Sequence, residues 1–274
     1  MNDHPILVLG GTGKAGRRVA ARLHGLGLPV RVPTRSGALP FDWTDESTWP
    51  AVLARTRAVF VVPFDGLPLT RAFVARAVEA GVERVVLLSG RGVDVPGYPQ
   101  ISAGQTHVDG EAAVRALDVA WTVVRPTWFA QNFTEGFFRD AVAAGDLRLP
   151  AGDGAVSFVD ADDIADVVVA ALVEPGHAGR TYELSGPRAL TLAEVAAEIS
   201  AASGRHVRYT PLSVEDYTAE LVATGWPEAD ARELAVVVTA ARDGLDAYLS
   251  DGVQQALGRP ARDFGEFAAA ATWP

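Results

Sequence analysis

ILVLGGTGKAG, residues 6 to 16, sets an apolar run directly before three glycines at a fixed spacing, Gly10, Gly13 and Gly16. A G-x-x-G-x-x-G loop between a strand and a helix is what a dinucleotide-binding turn requires. Without side chains the backbone can turn tightly and approach a diphosphate, whose charge meets the unpaired N–H groups of the helix start. Helical spacing follows at once, with Val19, Leu23 and Leu26 four and three residues apart. Strand, glycine loop and helix in this order form the first half of a βαβ unit. A mononucleotide P-loop is excluded, because G-x-x-x-x-G-K-[ST] does not occur.

The alternation continues outward. Val30 to Val32, Ala58 to Val62, Arg84 to Leu88 and Trp121 to Val124 read as buried strands, with helices over Thr70 to Ala80 and Gly110 to Leu117. The order predicts an α/β fold, a doubly wound parallel Rossmann-like sheet with a smaller, mostly helical substrate lobe. LRLPAGDGAVSFVD, residues 147 to 160, reads as two short strands about a glycine-rich turn, followed by a helix from Asp162 or Asp163 through Val173. TLAE, residues 191 to 194, is a capping box. From Tyr209 onward the pattern is helical, broken at Trp226 and Pro227. Residues 1–274 are expected to form one domain, with the lobe interleaved at about 126–156 and 187–250.

Composition narrows the function. At 274 residues and 49% hydrophobic, the chain can bury a full core. A net charge of -10 gives no footprint for phosphate backbones, so a small-molecule substrate is expected rather than nucleic acid. There is no cysteine, which removes disulfides and thiolate nucleophiles. No leader pattern and no apolar run of about 18 residues is present, so no membrane partner is expected. A cytoplasmic protein, with a homodimer as its assembly, is the corresponding expectation.

Gly10, Thr12, Gly13, Lys14, Ala15 and Gly16 are the candidate diphosphate loop. Lys14, the sole lysine among 24 basic residues, opposes the helix dipole where it stands, which makes sense beside an anionic phosphate. An NAD-preferring site places an acid after the second strand, yet residues 30 to 41 hold none. Arg31 and Arg35 are there instead. Arg35, with Ser36 beside it, is placed to hold a 2′-phosphate, so NADPH is the expected cofactor. Asp42 either contacts the adenine or terminates a strand. DADDIAD, residues 160 to 166, reads as helix capping by Asp162 or Asp163, and no metal is expected.

The stretches ILVLGGTGKAGRRVAARL, VRVPTRS, FDWTDESTW, VVLLSGRGVD, WTVVRPTWFAQNF, GRTYELSGP and LGRPARDFGEF resemble the NmrA-like branch of the atypical short-chain dehydrogenase/reductases, from end to end. FDWTDESTW and RPTWFAQNF are most similar to its ergot-alkaloid-type reductases. The resemblance implies an NADPH-dependent oxidoreductase that passes hydride to a small activated acceptor such as an imine or iminium, an enal or a quinone. The branch also contains NADP(H)-binding redox sensors without catalysis, and a non-redox cyclase or dehydratase on the same fold is a third reading. By this resemblance Val62, Ser89, Pro126 and Thr127 border the cofactor.

The superfamily's better-known members pair a tyrosine with a lysine four residues later, and that pair cannot exist here. His107 and Glu111 stand in its place, on one helical face. One reading makes His107 the general acid, with Glu111 orienting it or raising its pKa. The other makes His107 a solvent-facing residue at a helix start and Glu111 an ordinary helix former. An activated acceptor would need no proton donor at all. For the substrate, Trp128, Phe129, Asn132 and Phe133 are candidates, with Tyr98 reaching in from a lid-like loop at residues 90 to 105. Core packing is expected to claim at least half of the rings Trp128, Phe129, Phe133, Phe137 and Phe138.

Overall fold

A computed structural model describes residues 4–274. β1 (Ile6–Val8) leads through the glycine loop into α1 (Lys14–Gly25), then β2 (Val30–Arg31), a 3-10 turn at Glu46–Thr48, α2 (Trp49–Leu53) and β3 (Ala58–Val61). α3 (Thr70–Glu79), β4 (Arg84–Leu88), α4 (Ser102–Arg115) and β5 (Ala120–Pro126) complete the first half. There follow α5 (Asn132–Glu135), α6 (Arg139–Ala143), β6 (Asp146–Leu149), β7 (Ala155–Val156), α7 (Ala161–Val173) and β8 (Arg180–Leu184). β9 (Leu190–Thr191), α8 (Leu192–Ser203), β10 (Arg208–Pro211), α9 (Val214–Ala223), α10 (Glu228–Arg242), α11 (Gly252–Leu257) and α12 (Phe264–Ala270) close the chain.

Six strands make one parallel sheet in the order β2-β1-β3-β4-β5-β8. Strands buried on both faces need apolar residues at successive positions, and β1, β3 and β4 supply them. Ile6, Val8, Phe60 and Val86 point to a core shared with Val19 and Leu23 of α1 and with Ile164 and Val168 of α7. Leu7, Val59, Val61 and Leu87 point the other way, to Trp49, Phe73 and Val114 on α2, α3 and α4. The sheet is therefore doubly wound, as the sequence implies. FDWTDESTW belongs largely to this second core: Phe41, Trp43 and Trp49 pack edge to face around Phe73. A third apolar cluster lies off the sheet, with Phe133, Phe138, Leu147, Phe158, Ile199, Leu234 and Phe264 at its centre. Among the described residues no helix is long and apolar enough to cross a membrane.

Local departures have physical causes. Val19 and Leu23 are buried, but Leu26 lies beyond the last helical turn and is exposed. α4 starts at Ser102, eight positions before the expected Gly110. Ahead of Ala113 and Val114 its buried stripe is made of Thr106, Gly110 and Glu111, small or polar residues that apolar periodicity does not register. The two strands of residues 147 to 160 do not pair with each other. β6 pairs in parallel with β10 and β7 antiparallel with β9, because each buries its apolar residues in the third cluster against a different partner. The cap of α7 is Asp160, whose carboxylate accepts from Asp162 N–H, and not Asp162 or Asp163. Those two are engaged by arginines: Asp162 by Arg18 and Arg22, Asp163 by Arg259 and Arg262. The capping box forms as read, between Thr191 and Glu194.

Candidate active site

Parallel strands all end on one edge of the sheet, so the residues following them meet there. Gly10 lies just past β1, Val62 follows β3, Ser89 follows β4 and Thr127 follows β5. A cavity of about 810 Å3 opens at this edge. Lys14, Val62, Ser89, Pro126 and Thr127 line it on the sheet side, with Arg91, Tyr98 and His107 from the loop after β4 and from α4. Trp128, Phe129, Asn132 and Phe137 line it beyond β5, and Trp226, Glu233 and Leu234 wall it from the turn before α10 and from α10 itself.

The glycine loop has the geometry its spacing predicts. Gly10 adopts φ +64°, and Gly13 N–H donates to its carbonyl at 2.9 Å. A Cβ on Gly16 would lie 2.2 Å from that carbonyl oxygen and 2.9 Å from Gly11 Cα, so α1 could not dock so closely with any other residue there. Gly13 caps α1 without a side chain, and the first turn holds no acidic residue. Its amides stay available to an anion. Gly10, Thr12 and Gly13 are exposed, whereas Ala15 is buried in the core beside α7 and can offer a ligand only its backbone.

Lys14 reaches past the loop, its ammonium 5.4 Å from the centre of the Phe137 ring. Burial, with Arg17 and Arg18 nearby, holds its pKa below the ordinary value. Gly136 permits the approach, since a Cβ there would stand 2.8 Å from both Lys14 Cε and Asn132 Oδ1. The two candidate arginines separate cleanly. Arg31 is spent on the Ala54 carbonyl at 2.9 Å and the Thr56 hydroxyl at 3.0 Å. Arg35 is exposed beside exposed Ser36, with no hydrogen bond or ion pair among the described residues. Asp42 closes a turn by accepting from the Thr44 N–H at 2.8 Å and hydroxyl at 2.7 Å, bonds that hold its carboxyl below the usual range.

His107 and Glu111 both face inward from α4 but do not act on each other. Glu111 Oε1 accepts from Ser89 Oγ at 2.6 Å and Arg125 Nε at 2.7 Å. Oε2 accepts from Arg125 Nη2 at 2.8 Å and pairs with Arg115 Nη2 at 2.9 Å. Three hydrogen bonds and one further ion contact engage the carboxylate, and His107 is not among its partners. The expectation that Glu111 orients His107 is thus corrected: Arg125, a buried strand residue, competes for it and wins by a bidentate ion pair. The expected rise in the imidazole pKa is corrected too. Burial lowers it, outweighing the charges of Asp65 and Glu111. Nor does the ring face solvent at a helix start: it lies inside α4, lines the cavity, and its Nδ1 is buried without a partner.

Tyr98 reaches inward from the loop before α4 and donates to Asp246 Oδ1 at 3.0 Å. Trp128 Nε1 donates to the other oxygen at 3.1 Å. Asp246 is fully buried, which pushes its carboxyl up, and burial, helped by Asp246, pushes the Tyr98 phenol up as well. Of the clustered rings, Trp128, Phe129 and Phe137 line the cavity. Phe133 does not, and this candidate is corrected: it is fully buried among Phe138, Phe158 and Phe264, at the centre of the third apolar cluster. Asn132 is buried and lines the cavity. Arg91, Arg125 and Asp246 escaped the sequence reading. An arginine inside an apolar strand run, Arg125, is the one signal that pointed to a buried ion pair, whereas nothing marks Asp246 in DGLDAYL.

A six-stranded parallel sheet with a glycine loop at its reversal point and a walled cavity at the strand ends defines a Rossmann-type α/β protein. The profile of the NmrA-like family matches residues 40–255. The chain belongs to that family. It is 36% identical over 281 residues to an NAD(P)H azoreductase of Xenophilus azovorans, covering 97% of each chain. It is 31% identical to agroclavine dehydrogenase of Claviceps fusiformis, covering 96% of this chain and 95% of that one. The NADPH-dependent quinone oxidoreductase of Escherichia coli, solved with NADPH, superposes with a TM-score of 0.82 at 25% identity, over 96% of this chain and 98% of the other.

Proposed function

We propose that this protein is an NADPH-dependent reductase that passes hydride to a small activated organic acceptor: an imine or iminium, an enal or a quinone. The cavity carries the reading. It is of ligand size, lies beside the position where nicotinamide would end, and is not filled by side chains, as a sensor's could be. The relatives' names agree, since the azoreductase, the clavine dehydrogenase and the quinone oxidoreductase are all reductases. A non-redox reading built on His107 and Glu111 loses its support, because Glu111 is engaged by Ser89 and Arg125 and not by the imidazole.

The residues fit a pyridine dinucleotide. Thr127 keeps a buried hydroxyl without a partner, and Gly10, Thr12 and Gly13 leave the start of α1 exposed with no acidic residue in its first turn. Gly10, Thr12, Gly13, Lys14 and the amides of Ala15 and Gly16 would hold the diphosphate, and Arg35 with Ser36 the 2′-phosphate. Asp42 and Val62 would border the adenosine, Pro126 and Thr127 the carboxamide. Reduced nicotinamide, when bound, supplies the hydride. The chain's part is to orient the acceptor between Tyr98, Trp128, Phe129 and Asn132 and to exclude water. His107 serves as a neutral wall residue, consistent with an acceptor that needs no acid. We read residues 126–156 and 187–250 as the substrate lobe, supported by its separate apolar cluster. With no cysteine and a net charge of -10, a cytoplasmic enzyme of small molecules is the fitting setting.

Loss of nicotinamide absorbance with a panel of quinones, cyclic imines and enals tests the reading. Turnover of at least one is expected. Tight coenzyme binding with turnover of none would replace it by the sensor reading. Arg35→Ala should weaken NADPH by about tenfold or more and NADH little, as a lost charge-assisted phosphate contact requires. Equal loss for both coenzymes would remove Arg35 from the site.

A further inference from the structure

The carboxylate that sequence order pairs with His107 is bonded instead to a hydroxyl on the cavity wall. Ser89 follows β4 at the sheet edge, is 3% exposed, and its backbone N–H is tied to the Val124 carbonyl at 2.8 Å. Its side chain has one proton to give. The 2.6 Å bond to Glu111 consumes it, because the ionised carboxylate can only accept. The other arms of Glu111 are held by Arg125, at 2.7 and 2.8 Å, and Arg115 stands beside it at 2.9 Å. Toward the cavity Ser89 therefore offers lone pairs and no proton.

We infer that Ser89, held by Glu111 as a hydrogen-bond acceptor, selects an acceptor molecule that presents an N–H donor: a protonated imine. The inference rests on the reductase reading above and chooses within it. A quinone or an enal brings a carbonyl oxygen, which would face the Ser89 lone pairs with nothing to share. Charge on the wall points the same way. Lys14 and Arg91 stand against Asp65, Asp230, Glu233 and Asp246, and Lys14 belongs to the diphosphate end. A cation entering this cavity meets a favourable field, even with Asp246 neutral. The step balances without an acid. The iminium carbon gains hydride with its electron pair and the C=N π pair returns to nitrogen as a lone pair, while the N–H facing Ser89 stays in place and the nicotinamide is oxidised. Ser89 is thus the group that touches the reacting molecule, and Glu111 is a positioning residue that works through it.

The N–H could instead come from the coenzyme's own carboxamide, so the test separates the two donors. Calorimetry on the full-length protein, with and without NADP+, would measure a cyclic secondary ammonium, the product form of a cyclic imine, against its N,N-dimethyl quaternary counterpart. Wild type should prefer the secondary ammonium. In Ser89→Ala that preference should fall about tenfold, the usual weight of one hydrogen bond to a charged group. In turnover, the imine-to-quinone ratio of kcat/KM should fall by a similar factor. Glu111→Gln should lower the same ratio, since its amide can donate to Ser89 Oγ and turn the hydroxyl proton toward the cavity. If that variant fails to fold, Ser89→Ala decides alone. Equal losses for both ammonium ligands would overturn the inference, as would a tenfold loss of NADPH affinity with the ligand preference intact, which would give the N–H to the coenzyme. If wild type reduces nothing, the reductase reading fails, whereas the ammonium comparison without coenzyme still reports on Ser89.

Discussion

Single side chains in the cavity wall carry signatures of what they await. Thr127 is 4% exposed with an unpaired hydroxyl, a cost that the folded chain bears until a ligand donates or accepts there. Thr127→Val should accordingly leave the coenzyme-free protein as stable as wild type or slightly more so, while NADPH affinity falls about tenfold. Parallel thermal melts and calorimetric titrations would show it, and a destabilised free protein with intact affinity would contradict it. His107 makes a statement about pH. Its folded pKa is lowered by burial, so above about pH 6.5 the ring is neutral in both folded and unfolded chains. As pH falls from there toward the lowered folded value, the unfolded chain takes up a proton that the folded one refuses, and stability drops. Wild type should lose more Tm between about pH 7.5 and 5.5 than His107→Gln. Parallel curves would mean that the imidazole is not held neutral. At this scale the sequence was legible where backbone geometry dictates the residue, as at Gly10 and Gly16. It was opaque where a partner arrives from a distant segment. Neither Arg125 taking Glu111 nor Asp246 taking Tyr98 and Trp128 follows from any local spacing.

Among the elements, α1 and its loop carry the clearest relation between sequence and site. The loop packs on itself so closely that a Cβ at Gly16 must displace the Gly10 carbonyl or the helix start. Gly16→Ala should therefore weaken NADPH by at least about tenfold, because the amides proposed to hold the diphosphate move with the loop. Thr191→Ala serves as its counterpart. It removes the capping box of α8, whose Thr191 and Glu194 do not line the cavity, and should cost about 1 kcal/mol in urea unfolding without altering coenzyme affinity. If Gly16→Ala binds NADPH normally, the close approach is not needed for the diphosphate. Elements with apolar periodicity, such as α1, α3 and the sheet strands, could be read from the chain within a few residues. α4 could not be read over its first two turns, where Ser102 to Asp109 bury only Thr106. β6 and β7 show the other limit. Two strand-like runs about a glycine-rich turn have the pattern of a hairpin, but the partner of each is set by the third core, assembled from segments about 40 to 110 residues away.

Across the whole molecule, arginines act as struts between segments that the chain separates widely. Arg22 joins α1 to Asp162 and Asp166 of α7, Arg84 reaches the Ala171 carbonyl from β4, and Arg188 ties the segment before β9 to Asp263 and Glu198. A planar fork with five donors suits such bridging better than an ammonium, which gives the near-absence of lysine a structural use. The most buried anchor is Asp163, fully inaccessible on α7. It accepts from the Arg262 N–H at 2.7 Å and pairs with the Arg259 and Arg262 guanidinium groups. These contacts fasten residues 258 to 263, which run from α11, packed on α7 and β8, to α12, packed on α8 in the third cluster. The strap thus spans the sheet layer and the third core. Removing the carboxylate leaves two guanidinium groups that are about one-third exposed and still reach Asp166, so the loss is smaller than for a fully buried pair. Asp163→Ala should lower unfolding stability by about 2 kcal/mol, the scale of hydrogen bonds to one charged group. In urea the midpoint should fall while the slope holds, because the sheet layer and the third core still unfold together through the remaining contacts. A shallower slope, or proteolysis after residue 250 that precedes global unfolding, would show instead that Asp163 alone couples the two cores.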